Sequence, residues 1–426
     1  MARERNTEQK RRKTPPRTLF QSASAQVMAP RLMVILSTLA LLAIGLVMVY
    51  SSSSITSYVE EGDALGETLK QCVFALLGIG IAVFVALVAK QDAMQGTPGV
   101  VFWALCCVLI LVTALLGTVG LGAKRWLIIG PISIQISEFA KIAFVMMAAR
   151  IAAQYREGEI DSGFAAKLAI GMVILPLGFV FIAQSDMGTT MICCIGLFSV
   201  VVLSGLSGRA TAVLVGLGIV FGFIAVLSKS YRADRLGSFA DPWADAQGTG
   251  YQLVHSFQAL ASGGFLGAGI GNSYEKLQYL PEAETDFIFA IIGEELGLVG
   301  ALLVIVAFLV FMRGGFLIAS QASTPFGSLL AAGLTVMIVF QAFLNISCVV
   351  GLFPTTGKPL PFISSGGSSL LSSLALVGVL LSISFDSNNE GEYRQRRDNL
   401  QVVSRVSPSD RSGRSGRNLE GRDARA

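Results

Sequence analysis

Long apolar runs separated by short polar breaks dominate this chain. Ten of these runs are long enough, or nearly so, to cross a membrane as helices: roughly 32–52, 71–89, 100–117, 137–154, 167–184, 189–204, 210–228, 287–312, 327–350 and 368–385. The sixth is short, and tilt or flanking interfacial residues would let it span. The first run is too long for a cleavable signal peptide and follows a polar arm of about thirty residues. The pattern therefore predicts an all-α polytopic membrane protein of about ten transmembrane helices. One membrane domain, 32–385, lies between a basic arm (1–31) and an Arg-rich tail (386–426). Pro, Ser, Gly and Arg fill the arm and the tail, so both are expected to be disordered. Composition agrees: 53% of residues are hydrophobic and 14% charged, with mean hydropathy +0.66.

Lys and Arg set the expected orientation. The arm carries eight of them and the tail beyond Phe385 nine arginines, so an even number of spans puts both termini in the cytoplasm. The stretches 53–70, 118–136, 185–188, 229–286 and 351–367 then face outside, with 229–286 the one large exterior loop. Within that loop, residues 250–262 are apolar at near-helical spacing, which predicts a short helix lying on or dipping into the membrane. Lys124, Arg125, Lys229, Arg232, Arg235 and Lys276 are basic residues on the disfavoured side. They point to an anionic ligand there, with interfacial snorkelling as the alternative. All six cysteines fall inside apolar segments without metal-site spacing. The net charge of +4 comes from the tails and fits membrane topology and anionic headgroups rather than nucleic acid.

Four polar constellations interrupt the apolar pattern on the exterior side. The first runs from Tyr279 to Gly297 and packs five carboxylates into nineteen residues. Carboxylates at membrane depth are costly, about 2.5–3.5 kcal/mol at a helix centre. Asp286 sits where loop becomes helix, so it is either a helix-capping group or a reacting one. Glu294 lies two turns deeper on a similar face, and Glu295 points about 100° away. The second is Gly122-Ala-Lys124-Arg125-Trp126, followed by Ser137, Glu138 and Lys141. Here Arg125 offers a fork suited to phosphate, Trp126 an interfacial ring, Ser137 an N-cap, and Glu138 with Lys141 an i,i+3 ion pair. The third is the turn Gln184-Ser-Asp186-Met-Gly188, a turn and helix cap by its local pattern. The fourth is Lys358 with Gly366-Gly-Ser368-Ser369, whose amides at a helix start could hold an anion. By themselves these say "exterior membrane site for an anionic, lipid-linked ligand" and do not choose between transfer and transport.

These motifs, with Asp234-Arg-Leu, Asp241-Pro-Trp243 and Pro359-Leu-Pro-Phe362, resemble the SEDS family (shape, elongation, division and sporulation), which includes FtsW, RodA and SpoVE. The resemblance covers about 32–385. Gly45-Leu-Val-Met-Val-Tyr50 and Ile292-Gly-Glu-Glu-Leu-Gly297 look more like the FtsW branch than the RodA branch. It implies peptidoglycan glycosyltransfer at the outer face of the cytoplasmic membrane, at the division septum on the FtsW-like reading. Lipid II units would be joined, with undecaprenyl pyrophosphate as leaving group. It places the catalytic base on Asp286 and substrate or pyrophosphate contacts on Lys124, Arg125, Trp126, Lys141, Lys358 and Ser368, supported by Glu138, Asp186 and Glu294. It implies no required cofactor and no protein metal site, with a divalent cation (Mg or Mn) as an optional helper. Its expected partners are lipid II, an FtsI-like class B penicillin-binding protein and other divisome proteins. Ile136, Ser185 and Ser365 depart from the family's usual residues at supporting positions. A lipid II flippase and a RodA-like elongation polymerase are the competing readings.

Overall fold

A computed structural model describes the backbone at residues 25–120, 123–129, 132–206, 216 and 230–404. The expected seventh apolar segment, 210–228, lies outside the described residues. The other nine expected segments are helical. In chain order the helices are α1 (Ala25–Glu61), α2 (Gly66–Val88), α3 (Gln91–Gln95), α4 (Thr97–Leu116), α5 (Ile136–Arg156), α6 (Ser162–Ala183), α7 (Met187–Leu203), α8 (Ser230–Ala240), α9 (Tyr251–Gly263), α10 (Ile288–Gln321), α11 (Pro325–Val349) and α12 (Gly367–Ser404). Among the described residues, seven helices are long and apolar enough to cross a membrane: α1, α2, α4, α6, α10, α11 and the first part of α12 (Gly367–Ser387). The apolar α7 is shorter, and α5 has the length but carries Glu138, Lys141, Arg150 and Arg156.

Burial sorts these helices into centre and rim. In α11 and Gly367–Ser387, 83% and 89% of the most apolar window is buried, against 17–44% in the other five, so these two form the middle of the bundle. Helix α5 belongs with them, since most of its residues from Ile136 to Ala153 are buried. Around this centre α12 packs on α2, α1 on α10, α10 on α11, and α11 on both α5 and α7. The rim helices turn large apolar side chains outward, among them Leu76, Leu116 and Ile182, each more than two-thirds exposed. Water would make such faces unstable, whereas lipid makes them ordinary.

Local structure departs from the sequence expectation at several places. Residues 118–136 are not plain loop. They hold a three-stranded antiparallel sheet, β1 (Thr118–Gly120), β2 (Ala123–Ile129) and β3 (Ile132–Ile134), with Thr118 opposite Trp126 and Leu127 opposite Ile134. Helix α5 starts at Ile136, one residue before Ser137, so Ser137 is inside the first turn and does not cap it. Helix α10 runs on to Gln321, because Arg313 lies within the helix instead of ending it. Helix α12 continues to Ser404, past the point where the polar tail was expected to begin. The helix expected at 250–262 is present as α9 and packs against α10.

Helix α10 is also broken. Gly297 has φ 65° and ψ −165°, a conformation that L side chains disfavour, and it interrupts the hydrogen-bond ladder. The loop after α9 repairs the gap: Ala268 N donates to Glu294 O (2.9 Å), Gly269 N to Glu295 O (3.0 Å), and Leu298 N to Gly264 O (3.0 Å). A broken helix inside a membrane domain is tolerated when neighbouring backbone satisfies the freed groups in this way.

Candidate active site

One end of the bundle gathers β2, the start of α5, the α6–α7 turn, the Asp286 loop and the loop between α11 and α12. At its centre is a buried network of four charged side chains. Lys358 Nζ lies 3.0 Å from Asp186 Oδ1 and 3.7 Å from Glu138 Oε1, and donates to Thr189 Oγ1 at 2.6 Å. Lys141 Nζ pairs with Glu138 Oε2 at 2.8 Å and donates to Gln341 Oε1 at 2.8 Å. All four side chains are 5% exposed or less, so each charge depends on the others for its solvation. The i,i+3 pairing of Glu138 with Lys141 is as the sequence predicts.

Asp186 serves the network twice. Its Oδ1 accepts from Thr189 N (3.1 Å), which caps α7, and its Oδ2 accepts from Gln135 Nε2 (3.0 Å) and Thr189 Oγ1 (2.8 Å). Burial alone would push this carboxyl up. The charges of Lys358 and Arg125 and the Thr189 hydrogen bonds outweigh burial and hold it well below the usual carboxylate range. Burial would likewise lower the Lys358 ammonium, but Asp186 and Glu138 raise its pKa above the ordinary value. Gly188 makes room for this lysine: a Cβ there would lie 2.6 Å from the Lys358 stem. Ser368 joins from the start of α12, its hydroxyl accepting from Gln135 N at 3.0 Å.

Asp286 occupies a neighbouring niche. Helix α10 begins at Ile288 with Phe287 at its N-cap position, so the side chain of Asp286 is not the cap that the sequence allows. Its backbone is laced instead to the loop carrying Lys358. Asn345 Nδ2 donates both to Asp286 O (2.7 Å) and to Lys358 O (2.8 Å). Ser364 Oγ donates to Thr285 O (2.6 Å), and Ser365 N to Glu284 O (2.8 Å). The carboxyl group itself has no hydrogen-bond donor among the described residues and is half-buried. Burial and the nearby Glu282 charge push it up to about 6, against the opposing pull of Lys358 and Arg235. A carboxyl desolvated, unclaimed by other groups and tuned close to neutrality is what a general base requires.

The remaining sequence candidates divide. Arg125 lies beside this network, but one edge of its guanidinium is committed to backbone: Nε donates to Gln184 O and an Nη to Ser185 O, both at 2.8 Å. Trp126 is half-buried on β2, and the side chain of Lys124 lies outside the described ones. Glu294 is not in this network. With Glu295 it binds the loop at 273–276. Three contributors were absent from the sequence candidates: Gln135, Gln341 and Asn345. Arg235, one of the basic residues expected to face an anionic ligand, donates from an Nη to Thr355 O at 2.8 Å. Gln341 and Asn345 carried a signal, being amides spaced i,i+4 within the otherwise apolar α11.

The family model for FtsW, RodA and SpoVE, described as "cell cycle protein", matches residues 31–389. The chain belongs to the FtsW/RodA/SpoVE family. Among its relatives, a probable peptidoglycan glycosyltransferase FtsW of Synechocystis is 38% identical over 350 residues, 82% of this chain and 87% of the relative. Stage V sporulation protein E of Bacillus subtilis is 37% identical over 364 residues, 84% of this chain and 97% of that one. A solved chain described under the structural coordination of polymerization and crosslinking by a peptidoglycan synthase complex superposes with a TM-score of 0.67. It is 23% identical, and the match covers 86% of this chain and 99% of that chain. Thermus thermophilus RodA, a rod shape determining protein, gives a TM-score of 0.62 at 20% identity, over 87% and 99%. At such identity these last two support the fold alone. The family match spans the membrane domain that the motifs delimit, and with it every site residue described above.

Proposed function

We propose that this chain is a peptidoglycan glycosyltransferase that polymerises lipid II at the outer face of the cytoplasmic membrane, with Asp286 as general base. The observation that carries the reading is the Asp286 carboxyl: half-buried, without a donor among the described residues, and raised to about 6. The acceptor sugar hydroxyl is a weak nucleophile. Asp286 takes its proton as the oxygen attacks the anomeric carbon of the donor, an effect typically worth about 10²–10⁴-fold. The bond from that carbon to the diphosphate oxygen breaks, and undecaprenyl pyrophosphate leaves with the electron pair. Arg125, Arg235 and the charge of Lys358 oppose the negative charge that develops there.

The arrangement favours transfer over transport. Polar contacts of the network end at Lys141 and Gln341, and deeper along α5 and α11 the buried residues, including Phe144, Met147 and Leu334, are apolar except for Thr335, whose hydroxyl is spent on Ala331 O (2.7 Å). A flippase would need a polar path through that region. The described residues contain no cluster of three or more His, Cys, Asp or Glu able to hold a metal. A divalent cation, Mg or Mn, would then ride on the diphosphate of the substrate, which a chelator titration checks.

The decisive experiment gives purified protein labelled lipid II and separates the glycan products by length. Polymer from the unmutated chain and none from Asp286→Asn is the expected result; polymer from both would overturn the reading. Family membership supports a crosslinking partner, an FtsI-like class B penicillin-binding protein, and septal placement. Adding that partner should raise the polymerisation rate by shifting the population of the Asp286 loop. Equal rates with and without it would remove this part of the proposal.

A further inference from the structure

Ten residues before Asp286, four consecutive side chains or amides are each held by a separate contact. Ser273 Oγ donates to Glu294 Oε2, and Ser273 N to Glu295 Oε1 at 3.3 Å. Tyr274 N donates to Glu294 Oε1 at 2.8 Å. Glu275 Oε2 meets His255 Nδ1 of α9 at 2.7 Å. Lys276 Nζ pairs with Glu295 Oε1 at 2.8 Å and donates to Ser51 Oγ of α1 at 3.0 Å. Ser51 in turn donates to Glu295 at 2.7 Å. Three helices, α1, α9 and α10, therefore converge on one four-residue segment. The two carboxylates sit next to the break at Gly297, where their backbone carbonyls already hold the loop after α9. Glu294 and Glu295 thus fix two stretches of chain at once.

Beyond this clamp the chain reaches Asp286 through short turns. Leu280 N donates back to Glu275 O (2.9 Å), Thr285 N to Glu282 O (3.2 Å) and Phe287 N to Glu282 O (3.1 Å). Residues 277–279 and 281–282 are exposed, but Leu280 and Ala283 are buried and, with these turns, tether the segment between the clamp and Asp286. The far end of the loop is anchored at Ser364, Ser365 and Asn345, as described above. The near end has the clamp.

We infer that Lys276 and Glu295 are a positioning pair for Asp286, a role that rests on the glycosyltransferase reading. Stability alone is a poor reason for the pair. Lys276 and Glu295 are 4% and 0% exposed, and buried ion pairs are often replaced by apolar residues without loss of stability. What an ion pair adds over an apolar contact is a single register, because a displaced lysine leaves a buried carboxylate without its countercharge. Glu295 ties that register to α10, the helix that begins two residues after Asp286.

Three variants test this in the full-length protein: Lys276→Met, Lys276→Arg and the apolar pair Lys276→Met with Glu295→Met. Each is measured for turnover and KM with lipid II, thermal midpoint, and hydrogen exchange across 277–287. Lys276→Met should lower turnover about 10-fold or more with KM within about twofold. It should also speed exchange across 277–287. Lys276→Arg should recover most of the turnover. The apolar pair should regain the thermal midpoint of the unmutated protein but not its turnover. Turnover restored together with the midpoint, or lost only in proportion to folded protein, overturns the positioning role. Exchange separates the two levels of the proposal. If the unmutated protein makes no polymer yet Lys276→Met loosens 277–287, the reaction is wrong and the clamp stands. If the unmutated protein polymerises and Lys276→Met matches it, the clamp role falls and the reaction stands.

Discussion

At the scale of single residues, the environment of Asp286 makes a signed prediction about pH. Its carboxyl is raised to about 6, so it becomes an available base only as pH climbs through that value. The rate should therefore fall on acidification through about pH 6. Asp186 is held well below the usual range and Lys358 above its own, so neither loses its charge in that window. The same shift acts oppositely on stability: the contribution of protonated Asp286 is complete below about pH 4 and is lost as pH rises through about 6. A pH–rate profile read beside thermal midpoints checks both signs, and a flat rate between pH 5 and 7 would exclude Asp286 as the base. Arg125 gives a second prediction. Because its guanidinium bridges two carbonyls of the α6–α7 turn, Arg125→Lys should impair activity nearly as much as Arg125→Ala, since an ammonium lacks the fork. Full activity in Arg125→Lys would reduce the role to charge. Most charged members of the network were legible as residue types out of place in an apolar chain. Their pairing was not. Nothing in the spacing of Asp186 and Lys358, 172 positions apart, shows that they meet.

At the scale of elements, what the hydrophobic pattern reveals is existence, and what it hides is interruption. The nine apolar runs that fall among the described residues are helices because a membrane-length run has few other ways to satisfy its backbone. The sheet at 118–134 leaves no mark in the sequence because β1 and β3 are three residues each, too short for an alternating pattern to register. The break at Gly297 is hidden for another reason: glycine is common in membrane helices, so one more carries no signal. Yet Gly297 is where substitution should be costly. Its φ of 65° is strained for any side chain, and a Cβ would lie 2.4 Å from Gly267 N. Gly297→Ala should lower the thermal midpoint by several degrees and loosen exchange in the loop after α9. Gly80 in α2, without positive φ and with open space where a Cβ would stand, is a useful comparison: the loop-specific exchange should be absent from Gly80→Ala. Gly188→Val acts at a different element. It would push the Lys358 stem aside and should cost activity while leaving α7 helical by circular dichroism.

At the scale of the molecule, α11, α5 and the first part of α12 form a buried middle, and the rim helices present apolar faces outward. Every site residue lies at one end of that middle, the end that faces outside on the orientation expected from Lys and Arg. Cysteine at Ala244, exposed in the turn between α8 and α9, should react with an impermeant thiol reagent in intact spheroplasts. Cysteine at Glu159, exposed between α5 and α6, should react only after lysis. The opposite labelling would turn the molecule over and remove lipid II at the outer face as its substrate. The buried network has a further consequence, electrical in kind. Its two ammonium groups are matched by two carboxylates, and a potential of 100 mV does about 2.3 kcal/mol of work only on charge that is carried across unbalanced. The matched quartet offers the field no net lever. Polymerisation in proteoliposomes should therefore proceed at the same rate, within about twofold, whether or not a potassium diffusion potential of that order is imposed. The chemistry at this end of the bundle would then be indifferent to whether the cell is energised, and would follow the supply of substrate alone.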